Sequence, residues 1–172
     1  DISDDCPVID IDGNEYQYVK IGSKIWMSEN LKVSKYNNGE SIPTNFSGSE
    51  WINLNYGACA TYPYDNDQTS LLTCDTDCSD SYGYLYNYYV VLEDDLRGIC
   101  PEGWHVSTNH EWHELTEYLE EDNVGGKLKE CTQGNCPDSD YWISPNVGAT
   151  NETGFSALAS GSRDCCNGSD GS

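Results

Sequence analysis

The sequence predicts an α+β domain of short antiparallel strands with one clear helix, stapled by disulfides. Three observations carry that prediction. β-rich runs near the start are broken at two-residue turns, an amphipathic segment at 109–121 carries a capping signal, and nine cysteines occur in 172 residues. That length suffices for one domain with a proper core, so 1–172 is read as a single unit.

In chain order, residues 7–27 read P-V-I-D-I-D-G-N-E-Y-Q-Y-V-K-I-G-S-K-I-W-M. Asp12-Gly13 and Gly22-Ser23 punctuate three β-rich runs, as in a meander. Tyr16, Tyr18 and Lys20 alternate with Gln17, Val19 and Ile21, one sheet face against the other. Residues 34–58 are rich in Asn, Gly and Ser and read as irregular surface chain. Asp65 to Ser81 is a polar loop that holds Cys74 and Cys78. Tyrosines at 82, 84, 86 and 88 have a period of two and predict a strand with one aromatic face, a core stripe in preference to a sugar-stacking platform.

The helix is the strongest local signal. Thr108 and Glu111 form a T-x-x-E capping box, in which each side chain satisfies a free backbone amide of the first turn. Trp112, Leu115 and Leu119 supply the apolar stripe. Gly125-Gly126 lies beyond the helix end, and F-S-A-L at 155–158 is strand-like.

Eight basic against thirty acidic side chains give a net charge of −22. Such a surface repels nucleic acid and anionic membrane and favours cations or basic partners. Five Trp and thirteen Tyr argue against a disordered acidic chain. No apolar run reaches the roughly 18 residues of a membrane span. The chain opens D-I-S-D-D and reads as a mature exported chain or a fragment of one. Cys6, Cys59, Cys74, Cys78, Cys100, Cys131, Cys136, Cys165 and Cys166 point to an oxidising, extracellular setting and to disulfide bonding. An odd count leaves at least one thiol free or paired outside the chain. Local candidates are Cys131–Cys136 and Cys59 with Cys74 or Cys78, whereas adjacent Cys165 and Cys166 rarely bond each other.

All three histidines lie in C-P-E-G-W-H-V-S-T-N-H-E-W-H-E-L, residues 100–115. His110, His113, Glu114 and Glu117 share one helix face and are the weak metal candidates. The sequence is H-E-W-H, not H-E-x-x-H, and the four coincide with the face the apolar stripe leaves to solvent, so a solvated helix face is the preferred reading. D-T-D-C-S-D at 75–80 starts like an EF-hand loop but has Asp80 at its sixth position and Tyr86 at its twelfth, so that motif fails. No cofactor is expected, with calcium in a loop site of another kind left open. Asn45, Asn151 and Asn167 begin N-x-[ST] sequons, no more of them than chance supplies in a chain so rich in Asn, Ser and Thr.

The segments D-I-D-G-N-E-Y-Q-Y-V-K-I-G-S-K-I-W-M-S-E-N-L, Y-G-Y-L-Y-N-Y-Y, C-P-E-G-W-H-V-S-T-N-H-E-W-H-E-L, G-G-K-L-K-E and N-V-G-A-T-N-E-T-G-F-S-A-L follow one another in an order that resembles the Fibrobacter succinogenes major paralogous domain. The likeness runs from about residue 9 to Arg163. It implies a C-type-lectin-like α+β domain on secreted, surface or pilin-like bacterial proteins, with no established chemistry. It also implies structural roles: Cys100 in a disulfide, Trp104 and Trp112 in the core, and Glu111 capping the helix with Thr108. His105 matches a usual family position, while His110 and His113 fall where the motif is free.

The chain departs from that pattern after L-A-S-G-S-R-D, residues 158–164. The family's final strands, with a W-W-S-S-type run and a last cysteine, are missing, and with them any partner of Cys100 there. Cys131, Cys136 and the adjacent Cys165 and Cys166 are additions. Sheet edges left open in this way call for a covering segment. Either the chain is a fragment, or a strand from another copy completes the sheet and propagates a filament.

The expected function is a non-catalytic extracellular structural or adhesive module, in filament form the subunit of a surface polymer whose partners are its own copies. The alternative is a carbohydrate-binding, calcium-assisted lectin-like module that takes glycans. The absence of E-P-N or Q-P-D tripeptides counts against it. An enzyme like the formylglycine-generating enzymes shares the broad fold and a P-T-x-x-E-W helix start. Its cysteine pair lies in a C-terminal region this chain does not contain, so no catalysis is expected.

Overall fold

The computed structural model describes residues 7–61, 79–92, 95–120, 122–131, 139 and 141–163. In chain order its elements are β1 (Val8–Ile9), β2 (Glu15–Tyr16), β3 (Tyr18–Ile21), β4 (Lys24–Met27), α1 (Gly48–Trp51), β5 (Cys59–Thr61), α2 (Ser79–Tyr82), β6 (Tyr84–Tyr86), a 3-10 turn (Tyr88–Val90), α3 (Asn109–Tyr118) and α4 (Val124–Leu128). The architecture is α+β, with antiparallel two-stranded ladders β1–β2, β3–β4 and β5–β6. The described residues fall into two compact units: one drawn from 7–9, 15–30 and 104–159, the other from 10–14, 31–103 and 160–163.

In the first unit, β3 pairs with β4 in the register Tyr18↔Met27 to Ile21↔Lys24 around Gly22, whose φ of +62° is a conformation glycine adopts without a Cβ penalty. The ring of Tyr118 lies over that turn, 3.1 Å from where a Cβ of Gly22 would stand. Ile21, Trp26, Leu115 and Leu119 form the buried cluster, with Val19, Val124, Leu128 and Phe155 packed around it. The alternation expected along 16–21 breaks: Tyr16 and Ile21 are both buried, because β2 stops at Tyr16 and β3 starts afresh at Tyr18.

Gly125-Gly126 lies beyond the end of α3, as expected, and falls inside the further short helix α4. One other expectation changes here. F-S-A-L is not a strand; only Ala157 makes a bridge, parallel to Lys129. Trp142 stabilises that contact: its Nε1–H donates to the Ala157 carbonyl at 2.9 Å and the Lys129 ammonium lies 4.3 Å from its ring centre.

The second unit overturns the reading of 34–58 as surface chain. Val33, Tyr36, Ile42, Cys59, Val90 and Ile99 form its main cluster, and Trp51, Ala58 and Ala60 form another. Polar composition misleads because Asn, Ser and Gly here serve turns and caps around buried residues. Ser47 and Glu50 cap α1 reciprocally, and Trp51 is buried with the Arg163 guanidinium 4.2 Å over its ring. Asp12 clamps the chain by accepting from Ser34 N at 2.6 Å, Ser34 Oγ at 2.8 Å and Lys35 Nζ at 2.6 Å. Burial pushes the Asp12 carboxyl up, but those donors outweigh it and hold it below the usual range.

The tyrosine stripe is divided. Tyr84 and Tyr86 pack half-buried against the main cluster, Tyr82 ends α2, and Tyr88 lies on the 3-10 turn, 71 % exposed. Most of the 65–81 loop, with Cys74, Cys78 and the EF-hand-like run up to its last two residues, lies outside the described residues, as do Cys6, Cys136, Cys165, Cys166 and Asn167; Ser79 and Asp80, which end that run, open α2. Cys131 is disulfide-bonded.

Cys59 and Cys100, expected in disulfides, are free thiols. Both act as small apolar side chains of the same core, and burial pushes Cys59 up to about 11 and raises Cys100, which keeps each protonated.

Candidate functional site

The histidine-bearing segment of the first unit is organised around one carboxylate. Thr108 is extended (φ −79°, ψ 160°), and its Oγ1 accepts from Glu111 N at 3.2 Å. Glu111 reaches back, where its Oε2 accepts from both Thr108 N and Thr108 Oγ1 at 2.9 Å. His105 Nε2 lies 3.0 Å from each Glu111 carboxylate oxygen. An ionised carboxylate only accepts, so that nitrogen carries the proton. Lys24 Nζ, on β4, donates to Glu111 Oε1 at 3.1 Å and lies 3.2 Å from Glu114 Oε2.

One side chain thus joins the β3–β4 hairpin, the loop before α3 and the helix end. The Thr108 amide, then His105, the Thr108 hydroxyl and Lys24 hold Glu111 far below the usual carboxylate range. A carboxylate so depressed and already served by these donors is a poor proton acceptor near neutrality. Its chemistry is to hold structure.

Replacing Thr108 with Ala should cost about 1 kcal/mol of stability, the usual worth of an N-cap, and lower the urea midpoint accordingly. For Glu111 the expected effect is a change with pH. Its folded-state pKa is depressed, so its contribution is complete above its unfolded value of about 4.3 and is lost as pH falls toward the folded value. The urea-midpoint difference between the native chain and Glu111→Gln should therefore be constant from pH 7 to 5 and shrink below that.

The weak metal candidates form two separate pairs on α3. His110 Nε2 lies 3.7 Å from Glu114 Oε1, and His113 Nε2 lies 3.4 Å from Glu117 Oε1, each one turn apart. All four side chains are substantially exposed, and such surface pairs contribute little to stability. Among the described residues no group of three or more His, Cys, Asp or Glu converges to hold a metal ion.

Two structural residues differ from expectation. Trp112 is 40 % exposed, covering Trp26 (ring centres 5.0 Å apart) and Phe155 (6.1 Å) from the outside. Trp104 is half-buried beside Tyr18, ring centres 6.2 Å apart. Leu115 and Leu119 are the buried part of the stripe. The helix is ten residues long and needs that indole only as a lid on the aromatic cluster. Lys24 is not evident from the sequence, because 87 positions separate it from Glu111 and no local pattern links them.

The model of the Fibrobacter succinogenes major domain family matches residues 19–170. Comparison with curated proteins and with solved structures found no match. No helix among the described residues is long and apolar enough to cross a membrane.

Proposed function

The chain belongs to the Fibrobacter succinogenes major domain family, and from that premise we propose that it is a non-catalytic extracellular module with a structural or adhesive role, assembling with copies of itself into a surface filament. The carrying observation is the Glu111 hub, in which His105, Thr108 and Glu111 of the family-like 100–115 segment are spent, with Lys24, on joining hairpin, loop and helix. Assembly by strand addition would extend one of the two-stranded ladders, with β5–β6 the least suited because Cys59 N and Tyr84 N already donate to the Pro43 and Leu31 carbonyls. The surplus of acidic side chains keeps such a module soluble and away from nucleic acid. Disulfide stapling in an oxidising exterior rests on Cys131, which is disulfide-bonded, and on the high cysteine content outside the two free thiols Cys59 and Cys100, and the C-type-lectin-like fold is part of the same reading.

Electron microscopy of native cell-surface material with antibody labelling tests it. Labelled filaments are the expected result. A strictly monodisperse monomer of the intact gene product, or a wholly intracellular location, would overturn it.

A glycan-binding module is the second reading, favoured by one feature of the second unit. Asn87 accepts from Ala58 N at 3.1 Å and donates to the Tyr56 carbonyl at 2.9 Å, fixing the Tyr56 segment beside the strand that leads to Tyr88. Tyr56 and Tyr88 are 48 % and 71 % exposed, available for stacking on sugar rings. A glycan array with and without EDTA decides this reading and its calcium dependence together. Absence of binding in both conditions removes it.

A further inference from the structure

Two of the three sequons lie among the described residues, and they stand in opposite situations. Asn45, in N-F-S, is exposed in the segment before α1 at φ +65°, and its carboxamide makes no hydrogen bond among the described residues. Asn151, in N-E-T, is half-buried at φ +45°, and its carboxamide is used at both ends. Its Nδ2 donates to Ser156 Oγ at 3.0 Å, and its Oδ1 accepts from Ser156 N at 3.0 Å. The Thr150–Asn151 backbone is anchored as well, since both amides donate to the Gly126 carbonyl, at 2.8 and 3.3 Å.

We infer that Asn45 is an N-glycan acceptor of the folded chain and that Asn151 is not. The co-substrate is a lipid diphosphate-linked oligosaccharide, brought by an oligosaccharyltransferase. The Asn45 Nδ2 attacks the anomeric carbon, the bond from that carbon to the phosphate oxygen breaks, the lipid diphosphate leaves, and an amide proton passes to a base on the transferase. Nothing is oxidised or reduced. At Asn45 the amide nitrogen is free to enter the transferase. The hydroxyl at the third sequon position belongs to Ser47, the cap of a four-residue helix that opens at small cost. At Asn151 the same attack must first break both bonds to Ser156, and the sugar would have to fit where the side chain now crosses its own loop.

The inference concerns the folded chain itself, so its test is independent of filament formation or cellular location. The purified folded chain is incubated with an oligosaccharyltransferase and a lipid diphosphate-linked glycan, and peptides are mapped by mass spectrometry. The same is done for Asn45→Asp, which tolerates the left-handed backbone as Asn does, for Asn151→Asp, and for denatured chain. Glycan should appear on the peptide with Asn45, be lost from it in Asn45→Asp and persist in Asn151→Asp. Asn151 should be modified only after denaturation. An unmodified Asn45, or a glycan on Asn151 of the folded chain, overturns the inference. So does an Asn151 that stays unmodified in the denatured chain, because exclusion by the fold would then not be the cause.

Discussion

Gly126→Ala should unfold the first unit or leave it severely destabilised, with a loss of about 3 kcal/mol or more. Gly126 is buried inside α4, and an added Cβ would collide with the Gly148 carbonyl oxygen and with both polar atoms of the Asn123 carboxamide. None of these can yield easily. The Gly148 carbonyl accepts from Asn123 Nδ2 at 2.7 Å, and the Gly126 carbonyl accepts from the Thr150 amide at 2.8 Å, so backbone is pressed on backbone. The neighbouring glycine is the control. A Cβ on Gly125 meets nothing within 4 Å, and Gly125→Ala should stabilise α4 by roughly 0.5–1 kcal/mol through helix propensity alone. Circular dichroism and urea unfolding of the two variants read the contrast. A folded Gly126→Ala chain with an unchanged midpoint would show that the α4 approach to 148–151 is looser than described.

Gly57→Ala should be comparably damaging in the second unit, about 2–3 kcal/mol, for a different reason. Its Cβ would strike the Tyr36 hydroxyl, with Val90 Cγ2 at 3.1 Å and Tyr36 Cζ at 3.3 Å beyond it. Tyr36 is 1 % exposed, its ring is held under the Arg97 guanidinium at 3.8 Å, and its hydroxyl has no hydrogen-bond partner among the described residues.

A buried hydroxyl without a partner costs free energy that its deletion returns. Tyr36→Phe alone should therefore stay within about 1 kcal/mol of the native chain or exceed it. Once Tyr36→Phe has removed that hydroxyl, the strongest obstacle to Gly57→Ala is gone. The two substitutions together should then show favourable coupling of about 1 kcal/mol or more in a double-mutant cycle. Strict additivity would mean that the hydroxyl is not what excludes a side chain at position 57.

The features legible in the sequence are those set by neighbours along the chain. The Thr108–Glu111 capping box depends on three-residue spacing, and it forms as the pattern requires. The turns at Gly13 and Gly22 are glycines at positive φ between paired strands, again a local matter. The family likeness read from about residue 9 to Arg163 is matched by the family model over 19–170.

Features that depend on distant partners are not legible there. Nothing near Lys24 announces Glu111, and nothing in N-Y-G-A-C-A announces that Gly57 must leave room for Tyr36. The Asn- and Ser-rich stretch before Cys59 has a solvated composition, yet it supplies Tyr36, Ile42 and Trp51 to cores, because hydrophilic average composition does not stop individual side chains from being buried. Trp112 shows the converse. A helical period places it on the apolar stripe, but exposure depends on what covers the stripe, and here the indole itself is the cover.

The sequence by itself determined the α+β class, the capped helix, the hairpin turns and the family, since each follows from short-range spacing and backbone preference. Only the tertiary structure decided that the histidine segment serves as a clamp on Lys24, which thiols are free in a core, and which sequon carboxamide is bonded into its own loop. Those outcomes depend on burial and on partners that arrive from far along the chain, and no local pattern encodes them.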